Sequence, residues 1–69
     1  MSWSDMLESW ASKKLLKGDD HILNSATPIF EETMIKAALK VTKGKKSEAA
    51  KLLGWGRNTL ARKITELDL

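Results

Sequence analysis

The sequence predicts an all-α fold of four helices, and three observations carry that prediction. Apolar residues recur at three- and four-residue spacing along most of the chain, the rhythm of a helix with one buried face. Turn formers interrupt the rhythm at Gly18, Thr27-Pro28, Gly44 and Gly54, where helices are expected to stop or start. Alternating apolar and polar runs of the kind a half-buried strand shows are absent, as are internal repeats and low-complexity segments.

In the first element, Trp3, Met6, Leu7, Trp10, Ala11 and Leu15 form one stripe, so a helix is expected from about Ser4 to Lys17. Ser4 is the expected cap, with Asp5 and Glu8 near the start and Lys13, Lys14 and Lys17 near the end suiting the helix dipole. Gly18 ends it, and Gly18-Asp19-Asp20-His21 reads as a loop tacked to the core by Ile22 and Leu23. Thr27-Pro28 reads as the next helix start, with threonine as cap, proline at the first helical position and Glu31-Glu32 in the first turn. From there Phe30, Met34, Ala37, Ala38 and Val41 share a stripe that Ile35 and Leu39 widen, so one partner would not cover this helix. Burial against both the carboxy-terminal helices and a second copy of the chain is the expected solution.

Gly44 is expected to end the second helix, dividing dimerisation helices (1–43) from a helix-turn-helix (44–69) within a single domain. The third helix begins between Lys45 and Ser47 and carries Ala49, Ala50, Leu52 and Leu53; the fourth carries Leu60, Ile64 and Leu67. Ala50 stands four residues before Gly54, small enough for a close helix crossing, and Gly54 can take the left-handed conformation that ends a helix, with Gly56 a second permissive position.

Sixty-nine residues make one domain with a marginal core, and without cysteine neither disulfides nor thiolate metal sites can reinforce it. Dimerisation is the remaining common reinforcement. No apolar run is long enough to span a membrane and the amino terminus is acidic where a signal peptide would be basic, so a cytoplasmic location is expected. Charge is divided: residues 36–63 hold nine Lys or Arg against Glu48 alone, whereas residues 1–35 hold three lysines against six acids. The basic half calls for a polyanion; a merely solvated lysine-rich surface is the bland alternative.

The polar start of the last helix sharpens this. Arg57, Asn58, Thr59 and Arg62 are expected to contact bases, since arginine grips guanine and asparagine adenine through paired hydrogen bonds. Lys45, Lys46, Ser47 and Lys63 are expected at phosphates. Trp55 could stack on an unpaired base, but a turn tryptophan among leucines more often plugs the gap between helices. Trp3, Leu7, Trp10, Phe30, Met34, Ala37, Ala38 and Val41 are the expected dimer contacts. His21 has no second histidine or cysteine to hold a metal, and the acidic pairs Asp19-Asp20 and Glu31-Glu32 lack a nucleophile or phosphate loop, so neither metal, cofactor nor catalysis is expected.

The segment EAAKLLGWGRNTLARKITEL after the Gly44-Lys45-Lys46 turn resembles the carboxy-terminal domain of the nitrogen regulatory protein C family of enhancer-binding activators, itself similar to the Fis nucleoid protein. The string from Leu53 to Leu60 is its specific part; the tryptophan helix and the Pro28 helix extend the likeness over nearly the whole chain. The resemblance implies a homodimer whose first two helices pair and whose helix-turn-helix enters the major groove of a dyad-symmetric site. Arg57, Asn58 and Arg62 stand at the family's contacting arginine, asparagine and second arginine. Whole members of the family add a receiver domain and an ATPase that remodels sigma-54 polymerase, neither of which fits in 69 residues, so the expectation is the DNA-binding domain of a larger two-component response regulator. Asp68 departs from the glycine that commonly follows the final leucine. The alternatives are a helical interaction or dimerisation module and a stand-alone Fis-like nucleoid binder, although the extra amino-terminal arm of the latter is not found.

Overall fold

The computed structural model describes residues 2–69 as four helices: α1 (Trp3–Leu16), α2 (Leu23–Val41), α3 (Lys46–Leu53) and α4 (Arg57–Glu66). The first starts one residue earlier than the sequence suggests, and its cap lies two residues earlier. Ser2 rather than Ser4 is the cap, because Asp5 lies three residues after it: the Asp5 amide donates to Ser2 Oγ at 3.1 Å and the Ser2 amide to Asp5 Oδ2 at 3.3 Å, a reciprocal capping box.

The second helix departs further from expectation. Thr27 caps nothing and Pro28 lies inside the helix, which begins at Leu23. A first turn forms through amides of Asn24, Ser25 and Ala26 donating to the carbonyls of His21 and Ile22, at 2.8–3.1 Å. Proline forfeits one bond of the ladder, but near the helix start the loss is tolerable. Glu31 and Glu32 therefore stand mid-helix rather than in a first turn, and each has a lysine: Lys36 at 3.3 Å from Glu32, Lys63 at 2.9 Å from Glu31.

All four helices end the same way. In each, a residue one or two places past the end takes positive φ, its amide donating to the carbonyl three residues back and the next amide reaching five residues back. Gly18 (φ +93°) and Gly54 (φ +81°) do this at no steric cost; Lys43 (φ +56°) and Asp68 (φ +57°) do it with side chains. The second helix thus turns at Lys43, with Gly44 (φ +86°) continuing the left-handed path, and not at Gly44 alone. Buried Thr42 ties this corner down, its hydroxyl lying 3.0 Å from the Ala38 carbonyl and 3.2 Å from that of Lys45.

The core lies at the carboxy-terminal end. Ile35 and Leu60 are fully buried with Ala49 and Ala50, and Ala38 joins them; Leu39, Leu53, Trp55, Ile64 and Leu67 close around the cluster. Alanines at the crossing let α2 lie close on α3, and α3 on α4, as the small residue before Gly54 foretells. Trp55 plugs this core, in keeping with the structural role favoured from sequence. By contrast α1 buries no residue; it meets α2 where the Trp3 and Phe30 rings lie 5.9 Å apart. The result is elongated, 40 × 27 × 16 Å, with a radius of gyration of 14.2 Å against about 11 Å for a compact chain of this length. It exposes 5547 Å², where roughly 4,300 Å² is usual for a monomer of this mass.

Candidate nucleic-acid interface

The turn sets how α4 is presented. Gly54 ends α3 with the Gly54 amide on the Lys51 carbonyl at 3.1 Å and the Trp55 amide on the Ala50 carbonyl at 2.9 Å. Trp55 then packs into the core and Gly56, extended at φ −74°, caps α4 without a side chain. No side chain covers the first-turn amides of α4, so Arg57 and Asn58 begin the helix at its positive end, on the surface.

One face of α4 is settled by Leu60, Ile64 and Leu67, which turn to the core as expected. At 100° per residue the opposite face carries Asn58, Ala61, Arg62 and Thr65, all exposed. Two expected contact residues are therefore displaced. Thr59 is half-buried on the flank. Lys63 also turns toward the protein, where its ammonium sits 2.9 Å and 3.1 Å from the two carboxylate oxygens of Glu31 on α2. Positions 59 and 63 lie beside 58 and 62 in sequence, yet their side chains lean back toward the core. Ala61 and Thr65 take the exposed places instead. Their small size drew no notice in the sequence; spacing of three and seven residues from Asn58 was the available signal.

Arg57 has no ion-pair partner among the described residues, and Arg62 only an exposed one, Glu66 at 3.8 Å, too weak to hold it against a phosphate or base. Lys45, Lys46 and Ser47 are exposed at the start of α3, where no side chain caps the helix either. Lys40, Lys43 and Lys51 are likewise exposed and unpaired among the described residues, so this half presents cations without matching acids. His21 is exposed and meets only Asp20, at 2.8 Å, and no cluster of metal-ligating side chains occurs among the described residues.

The family described as bacterial regulatory protein, Fis family, matches residues 27–67, the helix-turn-helix and most of α2. This chain belongs to the Fis family. It is thus a helix-turn-helix DNA-binding domain of a regulatory family, not an enzyme. Among curated proteins it is 52% identical over 67 residues to the DNA-binding transcriptional regulator NtrC of Proteus hauseri, covering 97% of this chain and 14% of that protein. It is 48% identical over 68 residues to NtrC of Escherichia coli K12 and of Salmonella typhimurium, covering 99% of this chain and 14% of theirs. The Fis-family chain thus spans about one seventh of these relatives' length. No solved structure matches it. No helix among the described residues is long and apolar enough to cross a membrane.

The predicted dimer contacts fall in three places. Trp3, Leu7, Trp10, Phe30 and Met34 line an apolar groove of about 470 Å³ between α1 and the first half of α2, joined by Leu23 and Ile29. Ala37 and Val41 are exposed farther along α2. Ala38, 8% exposed, belongs to the core because its face of α2 carries α3; it has no surface left to offer a second copy.

Proposed function

We propose that this Fis-family domain works as a homodimer that reads a dyad-symmetric site in the major groove, on behalf of a bacterial enhancer-binding activator of the nitrogen-regulatory type. The observation that carries the reading is the exposed stripe Asn58, Ala61, Arg62, Thr65 behind Arg57 at the start of α4, borne on a core whose opposite side is filled by Leu60 and Ile64. Arginine and asparagine there suit purine edges; Ala61 and Thr65 suit the methyl of thymine. Lys45, Lys46 and Ser47 would hold phosphates and set register without reading sequence.

Support for a dimer comes from area. The protomer exposes roughly 1,200 Å² beyond a compact monomer of its mass, about what each partner buries in a large homodimer interface. Part of the exposed apolar surface is the groove lined by Trp3, Leu7, Trp10 and Phe30. Two recognition helices about 34 Å apart would meet successive major grooves on one face of the duplex. In the whole protein, receiver and ATPase domains and sigma-54 polymerase would be the partners, in the cytoplasm, with this domain tethering them at the site.

Fluorescence anisotropy of a dyad-symmetric duplex and its scrambled counterpart over a salt series tests the reading. A steep salt dependence with strong cognate preference is expected. Steep dependence without preference on any duplex would indicate a nucleoid-type binder instead, and no binding at low salt a dimerisation module.

A further inference from the structure

Lys63 and Glu31 stand 32 residues apart in sequence and are joined by the one side-chain ion pair that links two helices among the described residues. Every other side-chain ion pair, Asp20–His21, Glu32–Lys36, Arg62–Glu66 and Lys63–Glu66, is local. The Lys63 and Glu31 side chains are 23% and 17% exposed, sheltered enough to keep one geometry, and both carboxylate oxygens lie within hydrogen-bond reach of the ammonium. The position of the pair matters more than its strength. The main packing joins α2 to α3 and α3 to α4, so beyond the shared core this pair is the directional side-chain tie between α4 and α2. Apolar packing is non-directional and sets a helix's angle only loosely; a directional tie at the edge of the core narrows it.

We infer that Glu31 and Lys63 are positioning residues that fix the angle of the recognition helix against α2, and so set the half-site spacing a dimer accepts. The inference rests on the proposed dimeric DNA reading. Glu31 lies on the same stretch of α2 as Phe30, which lines the apolar groove, so the tie runs from the pairing element to the reading element with no loop between. In such a dimer, each recognition helix inherits its place on the DNA from the partner across the groove. Lys63 holds a carboxylate and is thereby withdrawn from phosphate.

The test uses the whole chain, with Glu31→Gln, Lys63→Met and the reversed pair Glu31→Lys with Lys63→Glu, each checked for helical content by circular dichroism. The probe is the duplex that the wild type enriches from a randomised pool, together with versions carrying one base pair more or fewer at the centre, a shift of about 3.4 Å per pair. Wild type is expected to lose about tenfold on either altered duplex, comparable to one mismatched pair. Both single variants should lose that discrimination while still binding, and the reversed pair should regain it. Lys63→Met should also leave the slope of log affinity against log salt unchanged; a slope shallower by about 0.9 would put Lys63 on a phosphate and overturn the inference. Single variants that discriminate spacing as wild type does overturn it too, as does a folded reversed pair indifferent to spacing if the single variants fail to fold. A wild type that enriches no duplex overturns the DNA reading, and the inference with it, before any variant is compared.

Discussion

Gly54→Ala isolates one backbone term. Gly54 holds φ +81°, ψ +20°, and a methyl group built on its Cα would meet nothing within 4 Å, so the substitution adds no clash and removes no contact. What it adds is the left-handed penalty of a residue with Cβ, about 1–2 kcal/mol. Alanine recovers about 0.4–1 kcal/mol of that by restricting the unfolded chain. The net loss is therefore about 1 kcal/mol, which in a domain of this size lowers the midpoint by about 4–8 °C. Thermal unfolding followed by far-ultraviolet circular dichroism at one fixed protein concentration reads it. Gly56→Ser is the contrast: Gly56 has φ −74°, open space and a cap position with no side chain, so serine should raise stability by a few tenths of a kcal/mol. An unchanged midpoint in Gly54→Ala, or a loss of several kcal/mol, would refute the reasoning, since the first denies the left-handed turn and the second demands a contact that the fold does not have there.

Thr42→Val removes the buried hydroxyl between the Ala38 and Lys45 carbonyls and should cost about 0.5–1.5 kcal/mol in urea denaturation; no change would mean the corner does not need it. Arg57→Ala should weaken the enriched duplex by about 1–3 kcal/mol and erode its preference over a scrambled one, whereas Lys45→Ala should weaken both alike, each read by anisotropy. Leu23→Glu alters a residue 72% exposed at the groove, so the helices should persist while sedimentation equilibrium shifts toward monomer. A dimer of unchanged strength would place the interface elsewhere.

The helix-turn-helix was legible because everything that specifies it is local: Ala50, Gly54 and Leu60 lie within one turn and its two flanking helices. The start of α2 was not, because Thr27-Pro28 is a strong start signal that competes with Ile22 and Leu23, and the first turn that forms at His21 outweighs one lost hydrogen bond at Pro28. Ser2 and Ser4 are equal as caps until Asp5 decides between them. Two limits at the site have a common origin. The pairing of Lys63 with Glu31 was not legible, because a charge in a sequence shows no direction and Glu31 is too distant along the chain to announce itself as its partner. Ala61 and Thr65 went unnoticed because a face is defined as much by small residues as by charged ones.

The four helix ends have a kinetic meaning. Each helix end is turned by one or two left-handed residues and two short-range backbone bonds, so the chain's direction after every helix is settled by a few neighbouring residues. Core packing likewise joins helices that follow one another, α2 to α3 and α3 to α4. Little loop-closure entropy stands in the way of such a topology, and the trihelical part should form in microseconds to milliseconds. In the proposed dimer, assembly through α1, which has no fully buried residue within its own chain, would then be the slow step, and its rate would rise with protein concentration.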